Sequence, residues 1–355
     1  LGYANSGTWT TIETSGTYNS MVVVTTPVIT ANDPSLCIRV ANVLGNSFDV
    51  LVSRLDGNSE VISGIPFTYF IVEEGVYTEE NDGISMEAVK YNSSVTDRKG
   101  SWKGEQRAYQ NTYTSPVVIG QVMSANDPEW SVFWNRGSNY RNIPNTSNLY
   151  IGKHVGEDPN NSRLDETVGY IVFEKGSFIF NNSVLQTEVG IDKVDGVQNN
   201  GYTYTNLPEA DFVVASQSAM DGGDGGFAVL YGEHAPSNGN LTFAINEDGL
   251  NDSERKHTTE QVAWLALRSL TETTAVTDSF QINEFIANGN VVINDYINDE
   301  ITISLKTDVA DGTLLLDPNG DFQFVSNSGN ADSFEYEILN STGEVLSTSS
   351  VNLNP

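Results

Sequence analysis

Thr17-Tyr18-Asn19-Ser20-Met21-Val22-Val23-Val24 returns as Thr112-Tyr113-Thr114-Ser115-Pro116-Val117-Val118-Ile119, and this self-similarity constrains the fold more than any other feature of the chain. After each copy comes one tetrapeptide, Ala31-Asn32-Asp33-Pro34 and then Ala125-Asn126-Asp127-Pro128. Each copy closes on a matching strand and turn, Ile71-Val72-Glu73-Glu74-Gly75 and Ile171-Val172-Phe173-Glu174-Lys175-Gly176. A period of about 95 residues is a small domain, not a solenoid turn. The pattern predicts beads of one module.

A third, fainter copy follows. Val213-Val214-Ala215-Ser216-Gln217 echoes Val117-Val118-Ile119-Gly120-Gln121, and Glu260-Gln261-Val262-Ala263-Trp264-Leu265 echoes Glu166-Thr167-Val168-Gly169-Tyr170-Ile171. Thr, Ser, Asn, Gly and β-branched residues dominate, which favours strands and turns over helices. The expected fold class is all-β: tandem antiparallel β-sandwich modules in a multi-domain chain. The expected boundaries are 1–94 and 107–206, each with an extra C-terminal hairpin, a shorter module at 207–270, and a distinct sandwich at 278–355. The first hairpin is expected to turn at Asn81-Asp82-Gly83 and the second at Asn181-Asn182. Residues 93–106 and the Thr-rich stretch 269–277 read as linkers.

The net charge is −30, from 47 acidic against 17 basic residues scattered along the chain. Such a surface repels nucleic acid and anionic membranes, which need neutralising cations. It suits salty water and supplies oxygen ligands for calcium. No apolar run approaches the roughly 18 residues that span a membrane, so no direct membrane insertion is expected. One cysteine, Cys37, excludes an intrachain disulfide. It sits in an alternating strand and is expected in the core. The chain starts at Leu1, which fits a processed N-terminus.

Residues 17–74, 112–175 and 211–267 resemble the H-type lectin domain. The resemblance rests on strand order, and His257-Thr258-Thr259-Glu260-Gln261-Val262-Ala263-Trp264 is the nearest stretch. It implies six-stranded sandwiches that bind glycans and assemble as trimers, so three copies in one chain either imitate a trimer or stand as separate beads. The last segment resembles a bacterial cadherin-like, tandem-repeat adhesin domain through Gly289-Asn290-Val291-Val292-Ile293-Asn294-Asp295, Asp311-Gly312-Thr313-Leu314 and Asp317-Pro318-Asn319-Gly320-Asp321-Phe322-Gln323-Phe324. Tyr296-Ile297-Asn298-Asp299 stands where that family carries alternating acids, which argues against calcium at that turn.

Sugar binding needs an aromatic face and planar polar groups. Trp130, Trp134, Arg136, Tyr140 and Arg141 form the densest such group. The two tryptophans share one strand face and serve either the core or a sugar, whereas Tyr140 and Arg141 sit in a polar loop. Trp102 is expected to pack between modules. Calcium needs six to eight oxygens from a turning backbone. Candidate ligands are Asp221 and Asp224 in a Gly-rich loop, Glu247, Asp248, Asn251 and Asp252 in a second loop, and Glu157, Asp158 and Asn160 in a third. Asp and Asn are equally ordinary turn formers.

The three histidines, His154, His234 and His257, have no repeated nucleophile or zinc-ligand spacing, so no enzymatic activity is expected. The expected function is non-catalytic adhesion at an extracellular or bacterial cell-surface location, in a saline habitat. The partners would be glycans or neighbouring protein subunits. The alternatives are a filament subunit assembled by strand exchange through residues 1–10, or the binding portion of a polysaccharide-degrading enzyme.

Overall fold

The computed structural model describes residues 1–270, 272–298 and 300–355. Thr271, in the Thr-rich stretch, and Asp299, in the acid-poor turn, lie outside the described residues. The protein is nearly all β, in several separate sheets. It divides into two compact units. Unit 1 comprises Leu1–Val76, Ser85–Gly176 and Gln186–Leu267; unit 2 comprises Tyr77–Ile84, Ser177–Leu185 and Arg268–Pro355.

Unit 1 holds all three repeats, each supplying four shared strands. They are β1 (Met21–Ile29), β2 (Leu36–Leu44), β3 (Ser47–Arg54) and β4 (Ile65–Glu73) in the first repeat, then β5 (Pro116–Val122), β6 (Val132–Arg136), β7 (Leu149–His154) and β8 (Glu166–Glu174) in the second. The third has β9 (Phe212–Ser218), β10 (Phe227–Tyr231), β11 (Leu241–Asn246) and β12 (Gln261–Ser269). Within each repeat the first and fourth strands pair antiparallel, and the second and third form a hairpin.

The repeats are not beads. The hairpin of the third repeat continues into the first through a parallel pairing of β10 with β1, Leu230 opposite Val28 and Tyr231 opposite Ile29. The hairpin of the second reaches the third through β6 and β9, Asn135 opposite Ser218. The first joins the second through side chains. Gln121 Nε2 donates to the Ile38 carbonyl, and the Arg39 guanidinium donates to the Asp127 and Pro128 carbonyls. The ring therefore closes on itself.

At its centre β1, β5 and β9 bond to one another through small polar side chains. Thr25 Oγ1 donates to Gln121 Oε1 at 2.7 Å, Gly120 N donates to Ser216 Oγ at 3.1 Å, and Ala215 N donates to Thr26 Oγ1 at 2.8 Å. Gly120 is required here: a Cβ would lie 2.3 Å from the Phe133 ring. Every residue of β1 and of β5 is buried. Such a strand needs cover on both faces, and a lone sandwich covers one. Fusion of the repeats supplies the second cover.

The 93–106 segment is folded, not a linker. Thr96–Asp97 and Glu105–Arg107 pair with β7. The N-terminal strand Gly2–Ala4 pairs antiparallel with the start of β4, and Gly64 N donates to Asn5 Oδ1. The strand expected to be free for exchange is thus used inside its own chain.

Unit 2 has a four-stranded and a three-stranded sheet. The strands are β13 (Asp278–Gln281), β14 (Ile286–Asn290), β15 (Ile301–Thr307), β16 (Thr313–Leu316), β17 (Asp321–Val325), β18 (Asp332–Asn340) and β19 (Val345–Asn354). The orders are β13-β19-β18-β15 and β14-β17-β16. Phe322, Phe324, Phe334, Tyr336, Val351 and Leu353 fill the core. The two extra hairpins contribute their tips to this unit, so the expected boundaries shift. Ile179 packs with Leu270 and Tyr296, and Tyr77 meets Phe180 edge-on at 5.3 Å. The Thr-rich stretch joins in, since Thr274 and Tyr296 exchange backbone bonds.

The second tip turns at Asn181 and Asn182, both left-handed at φ 47° and 61°. Asn tolerates that region better than most residues, and a two-residue hairpin requires it. The first tip is instead one helical turn, α1 (Glu79–Asp82), capped by Thr78 and ended by left-handed Gly83.

Candidate functional site

Where the second repeat meets the third, an aromatic surface is assembled from distant segments. The backbone turns at Trp102 with φ 61°. The turn is held by Ser101 N donating to Arg98 O, and Lys103 N donating to Asp97 Oδ1 at 2.6 Å. It lays the indole on the Tyr140 ring, centroids 4.8 Å apart and planes 12° off parallel. The Arg141 guanidinium lies 5.3 Å from the Tyr140 centroid, and its Nε is 3.5 Å from Asp221 Oδ1. Met220 N donates to the Tyr140 carbonyl at 2.7 Å, fixing the loop of one repeat to the next. A half-buried aromatic pair is thus edged by one guanidinium and one carboxylate, which can stack on a ring and bond its hydroxyls.

The other expected sugar ligands do not join this surface. Trp134 is 1 % exposed and packs edge-on to His154. Trp130 is buried too, and its edge lines a separate groove of about 500 Å³ with Arg54, Glu129 and Asp158, between the first and second repeats. Arg136 lies over the Tyr150 ring at 4.0 Å, and burial pulls its pKa down. A third groove, of about 650 Å³, lies where the third repeat meets the first, with Thr30, Asn32, Tyr231 and Asn240 on its walls. All three junctions thus present a concave or aromatic surface, each with different side chains.

The residues expected to hold calcium are partly brought together, but around bases and amides. Lys99 Nζ lies between Asp224 Oδ1, at 2.5 Å, and the Glu157 carboxylate. Both carboxylates raise the Lys99 pKa. Asn251 donates to Glu157, and Asp248 Oδ2 accepts from Glu157 N at 2.8 Å. Asp158 pairs with Arg163 at 2.6 Å, Asn160 donates to Asp158 and Glu129, and Asp252 accepts from Glu254 N. Asp221 pairs with Arg141. Among the described residues no three carboxylate, imidazole or thiolate groups converge as metal ligands would.

Sequence reasoning missed what lies under the Gly-rich loop. A Cβ on Gly222 would meet the His257 ring at 2.0 Å, and one on Gly225 the His154 ring at 2.1 Å. The glycines therefore let the loop lie directly on two buried imidazoles. Glu260 anchors the loop by accepting from Asp221 N and Gly222 N, each at 2.8 Å. His257 Nδ1 donates to the Thr258 carbonyl at 2.8 Å, leaving Nε2 bare and 3.5 Å from Glu247 Oε1. His154 Nδ1 accepts from Gly156 N at 2.8 Å, so its proton sits on Nε2, 3.5 Å from Asp97 Oδ2. Burial pushes Glu247 up to about 9 and His154 down to about 3. Glu247 therefore carries its proton at neutral pH and faces the bare His257 nitrogen.

No protein-family model, curated protein or solved structure matches this chain.

Proposed function

We propose that the chain is a non-catalytic extracellular adhesion protein, with unit 1 binding a neutral glycan at the Trp102–Tyr140 surface. One observation carries this reading: a stacked, solvent-reaching aromatic pair edged by Arg141 and Asp221, at a junction between repeats. The net charge of −30 disfavours sulfated or uronic polymers, because the long-range field repels them. The imidazoles of His154 and His257 are almost fully enclosed, which supports binding over chemistry. The H-type-lectin-like pattern of the repeats and the adhesin-like pattern of unit 2 point the same way. In this reading unit 2 is a spacer.

Glycan-array binding tests the proposal. Saturable retention of a neutral sugar is expected, weakened about tenfold or more by Trp102→Ala and by Tyr140→Ala, equivalent to ~1.4 kcal/mol each. Arg141→Ala should weaken retention by a smaller factor. Retention that ignores both aromatic substitutions, or an array without hits, would remove the reading.

A further inference from the structure

Unit 2 leaves one face of its three-stranded sheet bare. Side chains alternate along a strand. Ala287, Phe322 and Phe324 face the core, so Ile286, Val325, Thr313 and Leu315 stand on the outer face. Val325 lies opposite Ile286 on one side and Thr313 on the other, and Leu315 follows in the next row opposite Gln323. Outer positions of a solvated sheet are normally polar. Here Leu315 is 62 % exposed, and Ile286 and Val325 are exposed beside it. Phe285 extends the patch. Asn283 and Ile286 exchange backbone hydrogen bonds, closing a two-residue turn with Glu284 and Phe285 at φ 50° and 69°. That backbone favours Asn and Gly, yet it carries a phenyl ring that is 54 % exposed. Strain of this kind gathers at recognition sites, as contiguous apolar patches do.

The charge around the patch has one sign. Unit 1 carries two acids for each base, whereas unit 2 carries seventeen acids against Arg268 and Lys306. Neither base belongs to this sheet: Arg268 ends β12, and Lys306 lies on β15, 3.7 Å from Glu335. Glu284 stands beside Phe285, and Asp311, which accepts from the Asn327 amide at 3.1 Å, stands at the same end of the sheet. Asp321 shares the outer face at the other end, and amide donation from Asn290 and Asn319 holds its pKa below the usual value.

We propose that this face docks a basic amphipathic helix of a partner protein. Strands spaced about 4.8 Å apart make a three-stranded strip about 10 Å across, the width of one helix. The run from Ile286 to Asn290 separates the two acidic ends by about 13 Å, which a helix covers in about nine residues. Lys or Arg at that separation would meet Glu284 and Asp311 at one end and Asp321 at the other. The apolar stripe between them would cover Ile286, Val325 and Leu315. A second copy of this chain is a poorer occupant, because a net charge of −30 repels it. The surface is independent of the glycan reading and stands or falls separately.

The test titrates the full chain into a fluorescein-labelled helical peptide of about 18 residues, with one Leu face and one Lys face, read by anisotropy at about 0.15 M salt. Saturable one-to-one binding is expected. Val325→Thr with Leu315→Thr should weaken it about tenfold or more, and threonine suits a strand, so the fold is kept. Glu284→Gln with Asp321→Asn should weaken it less and flatten its salt dependence. Val345→Thr, at an exposed valine of β19, should leave it unchanged. Absence of saturable binding overturns the proposal. So does binding that ignores the double threonine variant, since the peptide then adheres to acidic surface in general. A chain that sediments as a dimer, and as a monomer in that variant, would assign the face to a second copy and overturn the helix as its occupant.

Discussion

Trp134→Ala should lower the unfolding free energy of the chain by about 3–5 kcal/mol, the usual cost of emptying a buried aromatic site. Trp102→Ala should cost far less and instead remove glycan retention. The contrast follows from placement. The Trp134 indole is enclosed between Gly152, where a Cβ would lie 2.8 Å from the ring nitrogen, and the edge of His154. Nothing nearby can collapse into the space, because Gly152 lies in β7 and His154 under the Gly-rich loop. Trp102 sits at a half-buried turn with one ring face on Tyr140. Denaturant melts of both variants beside the array measurement decide the matter. A Trp134→Ala protein of unchanged stability would mean that this tryptophan is not core. Loss of binding by Trp102→Ala only through unfolding would mean that the aromatic surface is scaffold.

Glu247→Gln should stabilise unit 1 by about 2–4 kcal/mol at pH 9 and leave it unchanged near pH 4.5. Burial, followed by the fields of Glu254 and Asp224, raises the Glu247 pKa from 4.5 to about 9. A carboxyl group with a raised folded-state pKa stabilises the fold fully below its unfolded pKa, and that contribution disappears as pH rises through about 9. Glutamine is neutral throughout and can still donate to the bare His257 nitrogen, so the variant escapes the loss at high pH. His154 has the opposite sign. Its pKa falls from 6.5 to about 3, so its contribution is present above 6.5 and is lost as pH falls toward 3. The wild type is therefore expected to be most stable on the mildly acidic side of neutrality. Thermal melts between pH 4 and 9 check this; a glutamine variant less stable than wild type at pH 9 would refute the assigned proton.

Much of the strand pattern was legible because turn chemistry is local. Asn181-Asn182 and Asn319-Gly320 mark real turns, since Asn181, Asn182 and Gly320 take a positive φ that their residue types tolerate. The helical turn at residues 79–82 is not legible locally: Asp82-Gly83 resembles a hairpin turn, but the Thr78 side chain caps Asn81 N and Gly83 ends the turn. The closure of the repeats was also readable in principle. Met21-Val22-Val23-Val24-Thr25-Thr26-Pro27-Val28-Ile29 does not alternate, and a strand without alternation is covered on both faces. Tyr140 and Arg141 could be picked out because they combine a ring and a planar cation in a polar loop. Trp102 could not be tied to them, because that pairing exists only once distant segments fold together. Counting acids points at Asp224 and Glu157, which the single Lys99 ammonium bridges.

The central contacts of β1, β5 and β9 have one further consequence. A ring made from identical subunits falls apart on dilution and must carry the same recognition surface at each seam. Written into a single polypeptide, the ring cannot dissociate at any concentration, and each seam can mutate alone. Arg54 with Glu129, Tyr231 with Asn32, and Tyr140 with Asp221 already differ from one another, so one molecule presents three unlike sets of side chains at fixed spacing.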